Sequence, residues 1–299
     1  MFYNKLFGWF ALICVLTGVA FATPVTIVSI SDDFASIAQS IGGNHVNVIS
    51  LIKGARNLHS ITPKPSMVMH LKKADLLIRL GMDQDSWIDG LIHVAKNPRL
   101  FPGQQGYIDA SKNIQKLEVP QGNIDGSMGD VHLYGNPHYW LNPENGLVIA
   151  KQIKDQLILI DPDHSADYQA NYQDFSKRLS AKILQWKQAL VPYKDYNFVT
   201  YHKSWSYFFD AFNLNKVGEL EALPGIAPTT RHLVALSNTL KQSKQPTIIL
   251  TTLFYPKKVS ERFAKKHDAT FLFLSSNVGS AGVTSYINLF DYLVDSITQ

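Results

Sequence analysis

The sequence predicts an α/β protein with two α/β lobes, mainly parallel sheets, and a long rigid helix joining the lobes. Three observations carry that expectation. Short β-branched runs alternate with amphipathic helical stretches in both halves of the chain, the spacing of parallel sheets covered by helices. Helix-starting and helix-stopping residues punctuate the alternation. Between the halves, 163–190 contains neither glycine nor proline, while Tyr168, Tyr172, Phe175 and Leu179 recur at steps of three and four.

The elements follow in order. Residues 26–31 are β-branched and form the first strand; Asp32-Asp33 then caps a helix through Ile41, closed by Gly42-Gly43. A second strand is expected over 46–52 and a loop carrying His59 after it. Pro63 and Pro65 hold the chain extended, and Ser66 caps a helix over 67–73. A buried strand over 75–80 ends at Gly81, and Trp87, Leu91 and Ile92 line a helix. Asn142 as cap and Pro143 at the first helical position open a helix to about Ile160. Asp161-Pro162 repeats the device and opens the joining helix, which runs to about Leu190. Alternation then resumes, with strands over 198–201, 247–252 and 270–274 and helices over 203–213, 229–242, 256–267 and 281–297. The lobes are therefore set at 23–160 and 193–299, with the interlobe helix at 161–192. No internal sequence repeat is found.

The N-terminus predicts the compartment. Lys5, the apolar run 6–19 and Ala20-Phe21-Ala22 before Thr23-Pro24 describe a cleavable secretory signal peptide over 1–22. The single cysteine, Cys14, lies inside it, behind Leu12-Ile13, which are too bulky for a lipoprotein cleavage site. The mature chain then carries no thiolate and no disulfide. The formal net charge is +4, from lysines spread along the chain. That pattern has no basic stripe for nucleic acid.

Three of the ten histidines fall where loops leave the carboxyl ends of strands, the place where open α/β sheets bind ligands. They are His59, His138 and His202. Neutral imidazole suits zinc and its neighbours, and ligands from distant segments build a cleft that closes on an ion. A lone loop histidine is more often a surface residue, as His45, His70, His93, His164, His232 and His267 are read here. Position by itself leaves the two readings even.

The local strings separate them. His59-Ser60-Ile61-Thr62-Pro63-Lys64-Pro65-Ser66, then Leu71-Lys72-Lys73-Ala74-Asp75-Leu76, then Asn136-Pro137-His138-Tyr139-Trp140-Leu141-Asn142-Pro143, then Tyr201-His202-Lys203-Ser204-Trp205-Ser206-Tyr207-Phe208 together resemble the zinc/manganese ABC-transporter solute-binding family. The resemblance spans the mature chain in order. It implies two lobes bridged by one long helix, and metal-binding roles for His59, His138 and His202. It also implies a periplasmic, non-enzymatic receptor, a monomer, that hands a divalent ion to an ABC transporter membrane permease.

The chain departs from the family in three places. The Asp-x-x-Gly string that often supplies a fourth ligand reads Ser276-Asn277-Val278-Gly279 here, and a glutamate common in the preceding turn is replaced near Thr251-Thr252. The fourth position then falls to Glu221, His132 or water. The loop before His138, which is His- and Asp-rich in zinc-specific members, holds only Asp125, Asp130 and His132. Three imidazoles without an evident carboxylate point to Zn2+ over Mn2+, because harder manganese favours oxygen ligands. Two other classes compete: a zinc-dependent hydrolase, and an adhesin or regulatory paralogue that has lost tight metal binding. The hydrolase reading has no H-E-x-x-H or G-x-S-x-G string, and only Asp210 and Glu221 as carboxylates near His202.

Overall fold

The structure is a computed structural model that describes residues 23–122, 129 and 131–299. The expected signal peptide, Asp125 and Asp130 lie outside the described residues.

Two four-stranded parallel sheets with covering helices make up two α/β lobes. In the first, β1 (Val25–Ser31), β2 (Val46–Ile52), β3 (Leu76–Arg79) and β4 (Tyr107–Asp109) lie in the order β2-β1-β3-β4. In the second, β5 (Asn197–Thr200), β6 (Lys216–Glu219), β7 (Thr247–Thr252) and β8 (Thr270–Leu274) lie in the order β6-β5-β7-β8. The lobes thus share one topology although their sequences show no repeat. Central strands read as continuous apolar runs because helices cover both faces: Ile27, Val28, Leu76, Leu77 and Ile78 are sealed from solvent. Arg79 is the exception in β3, and its buried guanidinium is held by Asp85 at 2.9 Å.

In the first lobe the helices are α1 (Asp32–Gly42), α2 (Pro65–Lys73), α3 (Trp87–Ala95) and α4 (Pro143–Ile160). The joining helix is α5 (Ser165–Ala189), followed by α6 (Ser206–Phe212), α7 (Thr230–Ser243), α8 (Lys257–Lys266) and α9 (Tyr286–Thr298). Asn142 caps α4 by accepting from the Glu144 amide at 2.9 Å, with Pro143 in the first turn, as the sequence predicts. At 1.5 Å per residue α5 spans about 38 Å. Tyr168, Phe175, Leu179, Ile183 and Trp186 form its buried face. Near one end Asn171 donates to the Ile41 carbonyl of α1 at 3.0 Å. Near the other, Lys182 and Trp186 both donate to Asp291 of α9, at 2.8 and 3.0 Å.

Several expected boundaries shift. Ser31 takes the cap position of α1, and the Asp33 carboxylate turns away to the second lobe. Lys64 precedes α2 with Pro65 in its first turn, so Ser66 is helical and not the cap. Helix α6 begins at Ser206, not at 203, because the intervening turn presents His202. Helix α9 begins at Tyr286, not at 281. Gly279 and Gly282 hold the preceding loop in left-handed turns, and Ser285 caps the helix by accepting from the Asn288 amide. Strands β4 and β6 were not expected.

One apolar core runs from the first sheet through α4 and α5 to one face of the second sheet, where Phe198, Phe208 and Phe290 join it. A smaller cluster of Val199, Leu220, Ile249 and Phe263 fills the other face. Tyr286 of α9 fits against Gly146 of α4, where an added Cβ would sit 2.3 Å from the ring, and its hydroxyl donates to the Trp140 carbonyl at 2.6 Å.

Candidate metal centre

The structure brings His59, His138 and His202 together: one ring nitrogen from each lies within 4.8 Å of the other two, and no further such cluster occurs among the described residues. His59 follows β2 on a short helical turn, Leu58–Ser60, whose first amides are capped by Asn57; its side chain accepts from the His59 amide at 3.0 Å. His202 follows β5 in the second lobe. His138 precedes the turn Tyr139–Leu141 that leads into α4, and it is buried. Both sheets therefore deliver ligand-bearing loops from the carboxyl ends of their strands.

The ring orientations are fixed from behind. Asn136 Oδ1 accepts from the His138 amide at 3.0 Å and from His138 Nδ1 at 2.8 Å. The Asn136 Nδ2 group donates to Glu118 at 2.9 Å and to the Lys203 carbonyl at 2.7 Å, which sets which end of the amide is oxygen. Nδ1 of His138 must then carry the proton, leaving the Nε2 lone pair for a ligand. Gly135, at φ +100°, turns the chain into this position; a side chain there would meet the Leu117 carbonyl at 2.7 Å. His202 has the same logic with a charged partner. Its Nδ1 donates to Glu221 Oε2 at 2.7 Å, and that oxygen also accepts from the Gly225 amide at 3.1 Å. The Glu221 amide donates to the Tyr201 carbonyl, so the ends of β5 and β6 hold the pair in register. Glu221 thus stands behind His202 and is not one of the clustered ligand groups.

The exposed nitrogens fit an ion. His59 Nε2 and His138 Nε2 are 3.4 Å apart, a separation that a hydrogen bond between the two rings or a shared ion would each give. Two nitrogens each about 2.05 Å from a tetrahedral centre lie about 3.3 Å apart. Burial, and then the neighbouring His59, His202 and His132, hold the His138 imidazole well below the usual histidine range. It is therefore neutral, as a ligand must be. His132 comes within reach, its ring centroid 5.0 Å from that of His59. With His138, His202 and Glu118 it lines a cavity of about 60 Å3, room for an ion and a water.

The substituted positions of the second lobe supply no carboxylate. Ser276 donates to Asn277 Oδ1, the Asn277 amide group donates to Asp33 at 2.9 Å, and Thr251 donates to Ser260. Asp210 is exposed on α6. Sequence reasoning missed Asn136 and Glu118; an asparagine two residues before a histidine was the available signal. The remaining histidines lie elsewhere: His45 and His164 pair with Asp167 and Asp161, His232 meets the Glu219 carbonyl, His267 meets Ser237, His93 packs edge-on against Phe101, and His70 lies on α2 facing a separate groove.

Two lobes, each built on a parallel sheet, with a triad of imidazoles drawn from both, define the class of a two-lobed metal-binding protein. The profile of the family described as zinc-uptake complex component A, periplasmic, matches residues 27–299, and the chain belongs to that family. Its members are substrate-binding components of metal transporters, not enzymes. The chain is 25% identical to the iron-binding protein YfeA of Yersinia pestis, over 88% of this chain and 82% of that protein. It is also 25% identical to the manganese ABC transporter substrate-binding lipoprotein PsaA of Streptococcus pneumoniae, over 88% and 81%. A solved structure of ZnuA superposes with a TM-score of 0.76 at 23% identity, covering 92% of this chain and 98% of that one. A manganese-bound periplasmic metal-binding protein from Candidatus Liberibacter asiaticus gives 0.75 at 17% identity, with the same coverage.

Proposed function

We propose that the chain captures a divalent metal ion, zinc in preference to manganese, between His59, His138 and His202 and passes it to the permease of an ABC transporter. The observation that carries this is the convergence of three imidazoles, two of them with Nδ1 already tied to an oxygen acceptor and Nε2 left for the ion. The relatives are named for iron and for manganese, but in this chain no carboxylate of the Ser276 loop joins the cluster, and an all-nitrogen donor set favours zinc. We assign Glu221 to orienting His202, since one carboxylate oxygen serves both His202 and Gly225; His132 or water completes the coordination.

The place of action we infer is the periplasm, with the chain monomeric and released by cleavage after Ala22. Leu12-Ile13 ahead of Cys14 supports a soluble product, in contrast to the lipoprotein relatives. No helix among the described residues is long and apolar enough to cross a membrane.

Competition titrations on metal-free protein test the assignment. One zinc per chain is expected, bound at least about a hundredfold more tightly than manganese, a gap of about 2.8 kcal/mol. Manganese binding within about tenfold of zinc would overturn the zinc assignment.

A further inference from the structure

Beside the turn that carries His59 lies an open groove of about 580 Å3, within the size range of small-molecule sites. Its apolar surface comes from Ile61, from Met67 of α2 and from Phe254, which reaches across from the β7–α8 turn of the second lobe. Its charged groups are Lys53, Arg56 and Lys64, and no carboxylate lines it. Several lysines elsewhere on the surface are paired, Lys151 with Asp155, Lys182 with Asp291, Lys187 with Glu144 and Lys257 with Glu261, whereas others, such as Lys258, Lys265 and Lys266 of α8, stand singly among the described residues with no apolar groove beside them. Among the described residues the three cations of the groove make no ion pair. Asp32, which shares an adjoining hollow with Lys53, is taken up by the Gly54 amide at 2.7 Å.

Three unneutralised cations around an apolar floor are suited to an anion with a carbon body. Inorganic phosphate would satisfy the charges and leave Phe254, Ile61 and Met67 uncovered. A purely apolar ligand would leave three charges facing one another. We propose that this groove binds a small organic polyanion, a di- or tricarboxylate whose carboxylates meet Lys53, Arg56 and Lys64 while its apolar body covers Phe254 and Met67. The groove draws on both lobes. It also borders Asn57 and Ser60, the residues on either side of the Leu58-His59 pair, so the occupant lies against the wall of the metal cleft without entering it.

The test is calorimetric titration of the metal-free mature protein with trimesate, a benzene ring carrying three carboxylates. Saturable binding at one per chain is expected. Lys53→Gln, Arg56→Gln and Lys64→Gln together should weaken it at least tenfold; all three positions are exposed, so the variant folds. Removing the same charge from α8, by Lys258→Gln, Lys265→Gln and Lys266→Gln, should leave it unchanged. Phe254→Ala should weaken trimesate but not pyrophosphate, which should itself bind at least tenfold less tightly than trimesate. Absence of saturation at about 10 mM, enough to fill nine-tenths of a site with Kd about 1 mM, would overturn the proposal. Equal losses in the two triple variants would reduce the effect to net charge, and pyrophosphate binding as tightly as trimesate would exclude an organic ligand. The titration uses no metal, so its outcome is independent of whether zinc is the ion carried.

Discussion

Asn136 and Glu221 occupy equivalent places behind His138 and His202, one a neutral acceptor and the other a charged one. Each removes the wrong tautomer of its imidazole and lowers the freedom the ring would lose on meeting an ion. Replacing Glu221 by glutamine should therefore keep one zinc per chain but weaken binding by about 10- to 100-fold, the usual cost of removing such a partner. Calorimetry on the variant checks this. Unchanged affinity would mean Glu221 has no hold on the ligand, and loss of stoichiometric binding would make it a ligand itself. The three clustered histidines could be singled out in the sequence because each sits in a loop inside a recognisable string. Their partners were not, because Asn136 answers to Glu118 and to the Lys203 carbonyl, groups brought to it only by the fold.

The loop between β8 and α9 shows what an element can hide. In sequence it is only the place where a carboxylate is missing. In space it is an interlobe clasp: Asp33, on the first turn of α1, accepts from Asn277 Nδ2 and from the Val278 amide, both at 2.9 Å. Burial pushes the Asp33 carboxyl up to about 6, against the pull of those two donors, while Asp32 adds to the rise. The folded-state value lies above the ordinary carboxylate value of 3.8, so folding favours the protonated form. That contribution is complete below about pH 4 and is lost as pH rises through about 6, amounting to about 3 kcal/mol. Asp33→Asn keeps an acceptor and cannot ionise. Denaturation of the two proteins across roughly pH 4 to 7 should therefore show wild type losing stability relative to the variant as pH rises; a constant difference would contradict the buried-carboxyl account. Long, periodic elements such as α4, α5 and α7 were legible, and so were the apolar central strands. The edge strands were not. Tyr107–Asp109 is three residues long, and Lys216–Glu219 is half-buried and half-charged, so neither has the apolar run that marks an interior strand.

At the scale of the molecule, α5 and the shared core tie the lobes into one packed body on the side away from the cleft. Receptors that clasp sugars close about a loose hinge; here the hinge region would have to shear a helix anchored at Ile41 and at Asp291. Small-angle scattering with and without zinc should show the radius of gyration, about 19 Å for a chain of this length, falling by less than about 1 Å. A larger fall would mean that the helix bends. In the proposed function one ion bridges the two lobes, held by His59 and His138 on one side and His202 on the other. The zinc-induced shift in unfolding of wild type and His202→Ala decides whether it does. The buried Glu221 left without its imidazole lowers the stability of the metal-free variant, so the quantity to read is the shift and not the melting temperature. Zinc at a hundredfold excess over Kd should stabilise wild type by about 2.7 kcal/mol, and His202→Ala should lose most of that gain. A His202→Ala protein that binds zinc with wild-type affinity and shows the full shift would contradict the site.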